Sequence, residues 1–287
     1  AAGQVQVLDA ATILPFIDEF GQFIHRDWPG KTHSLDELTA QVQREDQDFK
    51  THAKPKSWNK YGGWAEGPRL KATGMFRVQK HGRKWWLVDP TGRLFWSHGI
   101  DCVRAANATP ITDRERYFRA LPAPETPLAF YGEAAWAPHG YYQTHSPYRT
   151  YDFTRANLRR KYGEDFEQVF ADVTHRRFET WAINTMANWS DSQIYLVRQT
   201  PYVATISFDA RKLEGSEGYW GKFYDVFDAD FETRLRERLE REKGLTAGDP
   251  WCIGYFVHNE LAWGDDISLA LAALISPPEQ AAKIAFV

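Results

Sequence analysis

Residues 251–266 read WCIGYFVHNELAWGDD. An apolar run, Cys252 to Val257, gives way to His258-Asn259-Glu260, and an indole, Trp263, follows three residues after the carboxylate. Glycoside cleavage needs a proton donor for the leaving oxygen and a second carboxylate. The donor must stay protonated near neutral pH, which apolar surroundings achieve by disfavouring the charged form. A glutamate that ends an apolar strand beside Tyr255, Phe256 and Trp263 meets that demand, so Glu260 is expected to be a general acid/base. Asn259 could bond a sugar hydroxyl and Trp263 could face a sugar ring. The plainer alternative is Glu260 held in an ion pair at the start of a helix. Three further polar clusters end apolar runs: Asp101, Asn188-Trp189, and Ser207 to Asp209. For Asp101 and Asp209, helix capping or loop support is the simpler expectation. No cluster has the spacing of a calcium loop, and neither a metal nor a cofactor is expected.

The elements that must position these groups alternate. HSLDELTAQVQREDQDF reads as a helix, with Ser34 as N-cap and Glu37 three residues on, the capping-box pattern. VQVLDA (4–9) reads as the last strand of an upstream domain, and 51–68, rich in Pro, Gly and Trp, as an ordered loop. FRVQ (76–79) and KWWLV (84–88) flank a turn at His81-Gly82. Asp89-Pro90-Thr91-Gly92 is a second turn, and LFWSHGID (94–101) follows as a first parallel strand. The aromatic-rich stretch 102–162 is too long for a passive connection and should be ordered and functional. Phe166, Val169, Phe170 and Val173 mark an amphipathic helix over 164–180. WAINTMANWS (181–190) is the second strand, DSQIYLVRQ a short helix, and PYVATISF the third strand. Asp228 caps a helix ending at Gly244, with Glu232–Arg236 and Glu237–Arg241 as i,i+4 pairs. CIGYFVHNE is the fourth strand; ISLALAALIS and PPEQAAKIAFV are helical.

Near-continuous apolar strands alternating with helices predict an α/β fold with a helix-covered parallel sheet. A (β/α)8 barrel has eight such units in about 250 residues and puts its functional groups at the carboxyl ends of the strands. Here four units fill 94–287. No glycine-rich phosphate loop follows the first strand, which argues against a dinucleotide fold. The expected division is an arm or linker over 1–60, a β-meander packed on the barrel over 61–93, and half a catalytic barrel over 94–287.

Net charge is −3 and no basic stripe is present, so no nucleic-acid partner is expected. No apolar run is long enough to span a membrane, and Ala1–Ala11 lacks the basic start and apolar core of a signal peptide. Aromatic residues make up 15% of the chain, 12 of them Trp, as is common where flat apolar surfaces meet sugar rings. Cys102 follows an expected strand and Cys252 begins one, at opposite ends of a parallel sheet, so a disulfide between them is not expected.

Several long segments together resemble one family. These are FGQFIHRDWPGKTHS (20–34), WNKYGGWAEGPRLKATGMFRV (58–78), KWWLVDPTGRLFWSHGIDCV (84–103) and IGYFVHNELAWGDD (253–266). They resemble the β-agarases of glycoside hydrolase family 50, a member of the retaining clan built on (β/α)8 barrels. The resemblance implies cleavage of β-1,4 bonds of agarose or its oligosaccharides with retention, in a secreted or periplasmic enzyme. It puts Glu260 at the acid/base position and Asn259 at that of the clan asparagine, while His258 stands where an acidic residue is expected. Asn188, Trp189, Trp263, Asp101 and His258 join Asn259 as candidate substrate-binding residues. In that clan the nucleophile ends the seventh strand, so none is assigned in this chain, which then reads as the first half of a barrel, inactive alone and prone to self-association through open sheet edges. The alternatives are another clan enzyme, β-galactosidase-like or mannanase-like, and a non-catalytic carbohydrate-binding fragment.

Overall fold

The computed structural model describes residues 9–287. Residues 4–8 of the strand expected at 4–9 lie outside the described residues, and Asp9 caps a short helix instead. In chain order the elements are α1 (Ala10–Ile13), α2 (Leu35–Thr51), β1 (Arg77–His81), β2 (Lys84–Val88), β3 (Leu94–Phe95), β4 (Gly99–Ile100), β5 (Thr109–Pro110), β6 (Tyr131–Ala134), β7 (Tyr148–Tyr151), α3 (Phe153–Tyr162), α4 (Phe166–Thr180), β8 (Thr185–Met186), α5 (Ser192–Tyr195), β9 (Tyr202–Ile206), α6 (Ala229–Glu240), β10 (Cys252–Val257), α7 (Ser268–Ile275) and α8 (Ala281–Phe286). They form two compact units, one running to Ala53 and joined by Arg104–Arg177, the other made of Lys54–Val103 and Phe178–Val287. These units cut across the boundaries expected at 60 and 93, because the stretch after the first parallel strand folds with the arm.

In the first unit, Ser34 caps α2 by accepting the Glu37 N–H at 3.1 Å. The returning half of the capping box is displaced: the Glu37 carboxylate accepts the N–H of His33, at 2.8 Å, rather than that of Ser34. The aromatic-rich stretch is ordered, as expected, and contributes a three-stranded antiparallel sheet in the order β5-β7-β6. Ile111, Phe118, Tyr151, Phe153 and Ala156 form its core. α3 was not legible in the sequence, since FTRANLRRKY lacks a clear apolar stripe; the Asp152 cap, which accepts the Arg155 N–H at 2.9 Å, starts it.

The second unit holds a four-stranded sheet in the order β4-β8-β9-β10, all parallel, and the expected antiparallel meander β1-β2-β3. The α/β class is therefore as expected. LFWSHGID is not one strand. Leu94–Phe95 pairs with β2 and Gly99–Ile100 with β8, so this stretch serves both sheets. The break between them is bridged by one side chain. Asn184, 3% exposed, accepts the His98 N–H at 2.9 Å and donates its amide to the Trp96 carbonyl at 2.9 Å and to the Gly62 carbonyl at 3.0 Å. The second strand is also shorter than read, with only Thr185–Met186 in the ladder. Ala187 and Asn188 extend it, through an N–H to the Ile100 carbonyl and a carbonyl to the Cys102 N–H, each 2.8 Å.

The loop 58–64 packs at the amino-terminal end of this sheet. Tyr61 lies with its ring centroid 4.7 Å from that of Trp251, the residue before β10. Gly62 has φ 78°, and a Cβ there would stand 2.6 Å from the Asn184 Cβ, so only glycine fits. Along α6, Asp228 caps and Glu232–Arg236 pairs at 2.7 Å as read. Glu237 instead faces Arg234 at 3.6 Å, and the helix ends at Glu240, ahead of Gly244. Both cysteines are free, Cys102 exposed and Cys252 buried.

Replacing Asn184 with leucine strands the His98 N–H and the Trp96 and Gly62 carbonyls. The bond to the Gly62 carbonyl is buried and the other two are part-buried, and a buried unsatisfied backbone group costs about 1–3 kcal/mol. Asn184→Leu is expected to lower stability by about 2–4 kcal/mol, read as a shift of the urea midpoint at unchanged slope. An unchanged midpoint contradicts the bridging role.

Candidate active site

Because the four strands are parallel, the polar groups that follow Ile100, Met186, Ile206 and Val257 all lie at one end of the sheet. Asp101, Asn188-Trp189, Ser207 to Asp209 and His258 to Glu260 are thus brought to a common rim. The backbone there is unusual. Cys102 (φ 54°), Trp189 (φ 56°), His258 (φ 57°) and Glu260 (φ 46°) occupy the left-handed region without being glycine. Such conformations are uncommon in ordinary chains and gather where the surroundings force them, often at functional sites.

Each candidate has a distinct setting. Asn188 is 4% exposed; its side-chain oxygen accepts the Thr205 hydroxyl from β9, which in turn accepts the Trp189 N–H at 3.2 Å. The Trp189 indole is half-exposed beside it. Asp101 is exposed and no helix starts after it. Asp209 caps no helix either: it pairs with Lys212 at 2.6 Å, which supports the loop and holds its carboxyl below the usual carboxylate range. Lys212 also lies 3.5 Å from the centre of the Tyr224 ring.

His258 faces inward. Its N–H continues the ladder to the Ile206 carbonyl at 2.8 Å, and its ring sits 4.5 Å from Phe208 and 4.8 Å from Tyr224. Nε2 is buried with no hydrogen-bond partner among the described residues. Burial, with a further contribution from Lys212, depresses its pKa. His258 is therefore a ring packed on two aromatic neighbours, in a setting that disfavours its charged form.

Glu260 departs from expectation in two ways. The apolar enclosure is absent among the described residues: Glu260 is exposed, and Tyr255, Phe256 and Trp263 are 39%, 49% and 64% exposed. The ion pair at a helix start is absent there too, since α7 begins at Ser268 and Glu260 enters no salt bridge. Instead the indole N–H of Trp220 donates to Glu260 Oε2. Asn259 is exposed next to it, and the Trp263 ring stands 5.1 Å from Phe223.

Trp220 belongs to the long connection between β9 and α6 and was missed in the sequence. Its signal was Gly218-Tyr219-Trp220-Gly221, an aromatic pair between glycines. A Cβ on Gly218 would meet the Ala262 Cβ at 2.1 Å, so glycine lets this loop close onto the segment carrying Glu260. Ser216 pins the loop base, accepting the Phe223 N–H at 2.8 Å and donating to the Leu213 carbonyl at 2.6 Å.

No family model matches the chain. It is 33% identical over 282 residues to Beta-agarase B of Vibrio sp. (strain JT0107), covering 90% of this chain and 29% of that protein. It is 28% identical over 266 residues to Beta-agarase A of the same organism, covering 86% and 26%. Among solved structures, an exo-beta-agarase superposes with a TM-score of 0.87 at 28% identity, over 96% of this chain and 44% of that one. PfGH50B does so with a TM-score of 0.84 at 30% identity, over 95% and 43%. The chain is similar over nearly all its length to the β-agarases of glycoside hydrolase family 50. It spans less than a third of the curated agarases it matches and less than half of the solved agarase chains. Within this agarase-like chain no group of three or more His, Cys, Asp or Glu could hold a metal ion among the described residues. No helix there is long and apolar enough to cross a membrane.

The His258 environment has a measurable consequence. Its folded pKa lies below the unfolded value of about 6.5, so the unfolded chain binds the proton first as pH falls. Stability should therefore decline from about pH 6.5 downward, until the folded pKa is passed. His258→Phe keeps the ring contacts and removes the titration, so the urea midpoint should fall less between pH 7 and 5 than in the parent. Parallel pH profiles contradict a buried neutral His258.

Proposed function

We propose that this chain is part of a β-agarase, a glycoside hydrolase cleaving β-1,4-galactosidic bonds of agarose or agaro-oligosaccharides with retention, outside the cytoplasm where that polymer lies. The observation that carries the reading is Asn259-Glu260 at the carboxyl end of the fourth of four parallel strands, in a chain similar to agarases. Strict sequential order suits half of a (β/α)8 barrel, whereas a doubly wound sheet reverses its order at a switch point. On this reading 94–287 contributes the first four βα units, with 102–162 as an insertion, 61–93 as the meander and the residues to 60 as an arm. Glu260 protonates the glycosidic oxygen as the bond breaks and later takes a proton from water. Asn259 and the free amide nitrogen of Asn188 bond sugar hydroxyls; Trp189 and Trp263 face sugar rings; Asp101 stands at the rim. His258 supports them by packing. The nucleophile comes from a later strand of the same barrel, outside this sequence.

Glu260→Gln, made in the protein encoded by the full reading frame, keeps the side-chain shape and removes the transferable proton. General acid catalysis contributes about 10²- to 10⁴-fold. Hydrolysis of agaro-oligosaccharides should fall by that order while binding persists. Turnover near the parent rate would remove Glu260 from the mechanism.

The edges of the parallel sheet, β4 and β10, carry the exposed apolar residues Ile100, Phe256 and Val257. Open apolar strand edges are templates for pairing with another chain. Residues 1–287 expressed alone are expected to self-associate in sedimentation and to leave agaro-oligosaccharides uncleaved. A stable, active monomer would place the second carboxylate within these residues.

A further inference from the structure

Trp220 is the described residue whose side chain hydrogen-bonds to the carboxylate of Glu260, and its chemistry limits what that carboxylate can do. An indole N–H donates and never accepts. Oε2, which takes this bond, therefore acts as an acceptor whether the carboxyl is charged or neutral. A neutral carboxyl group has one hydroxyl oxygen and one carbonyl oxygen. The carbonyl oxygen is the stronger acceptor of the two, so the bond at Oε2 favours the proton on Oε1.

The donor is well placed to persist. Its loop is fastened at Ser216, held by the Lys222–Glu214 pair at 2.6 Å, and closes through Gly218 onto Ala262, two residues beyond Glu260. Tyr219 stands edge-on to the Trp220 ring, centroids 4.6 Å apart. The backbone at Glu260 is itself fixed in the left-handed region, at φ 46°. A set backbone and a set donor together leave the carboxyl one favoured orientation.

We propose that Trp220 is a positioning residue for proton delivery: it holds the Glu260 carboxyl so that Oε1, and not Oε2, hands its proton to the glycosidic oxygen. This rests on Glu260 being the general acid. In the step concerned the bond from the anomeric carbon to the leaving oxygen breaks and its electron pair stays on that oxygen. The oxygen takes the Oε1 proton, and Glu260 is left as a carboxylate that Trp220 continues to hydrogen-bond at Oε2.

Leaving-group chemistry separates this role from a structural one. An agaro-oligosaccharide leaves as a poor leaving group and needs the proton; a dinitrophenyl glycoside of the same sugar leaves without it. In the full-length protein, Trp220→Phe keeps an aromatic ring for packing or sugar stacking and removes the N–H together with the five-membered ring that carries it. The expected result is a fall in kcat on agaro-oligosaccharides of about 10- to 100-fold, a part of what general acid catalysis supplies. The kcat/KM of the dinitrophenyl substrate, which reports the departure step alone and not the later attack of water, should change by less than about twofold, since that departure draws on no acid. In a Glu260→Gln background Trp220→Phe should have little further effect, because residues acting as a unit are not additive. An equal fall on both substrates, no fall on either, or full additivity with Glu260→Gln would overturn the proposal. If Glu260→Gln alone spares the agaro-oligosaccharides, the general-acid reading itself fails, and the proposal falls with it.

Discussion

The side-chain amide of Asn184 is the constraint on which the second unit depends. A chain that leaves an antiparallel meander and enters a parallel sheet must turn out of one ladder before it joins the next. Over that step its N–H and carbonyl groups have no strand to pair with, and the Asn184 amide, itself buried, takes the strand's place. Asn184 supplies one acceptor and two donated bonds, to His98, Trp96 and Gly62, from a buried position just before β8. Asparagine suits this because its amide presents the same donor and acceptor pair as a peptide group. The consequence is geometric. β4 is set beside β8, and the 58–64 loop is drawn against the amino-terminal end of the sheet, away from the rim that carries Glu260.

At that rim, position is set by backbone as much as by side chain. Left-handed residues follow β4, β8 and β10, so the chain turns sharply out of each ladder. A conformation of this kind costs on the order of 1–3 kcal/mol and lasts only where neighbours over-determine it. Those neighbours are visible for two of the strands. Thr205 joins Asn188 and Trp189 to β9, and Phe208 with Tyr224 grips the His258 ring. The candidate groups are thus held by cross-strand contacts, which act on each strand end separately and need no common loop.

Much of this was legible in the sequence, and what was not has identifiable causes. Alternating apolar strands and helices gave the parallel sheet, and turn residues gave the meander, because both follow from local pattern. LFWSHGID was read as one strand because its residues are continuously β-prone; its division depends on Asn184, some ninety positions away, which no local pattern reveals. α3 was lost because its amphipathic stripe is weak and the Asp152 cap was read as part of an irregular stretch. At the site, the strand-end clusters were legible because parallel pairing alone brings them together. Trp220 was not, since it reaches Glu260 from a long connection through a contact that requires Gly218 to pass against Ala262.

The same logic explains the histidine at a position where the family resemblance calls for an acid. The side chain at 258 does not point to the rim; it enters a slot between Phe208 and Tyr224, next to Lys212. A carboxylate in that slot would lose its hydration against two aromatic rings, and a buried charge without hydrogen bonds is costly. Lys212 is already engaged by Asp209, so the carboxylate would have to compete for it. A neutral imidazole fills the same space, stacks on Tyr224, lies tilted against Phe208 and needs no counter-charge. It also leaves Glu260 as the one acid of the His258-Asn259-Glu260 turn. Packing at 258, left-handed backbone on either side of Asn259, and the Trp220 donor then act on a single carboxyl group.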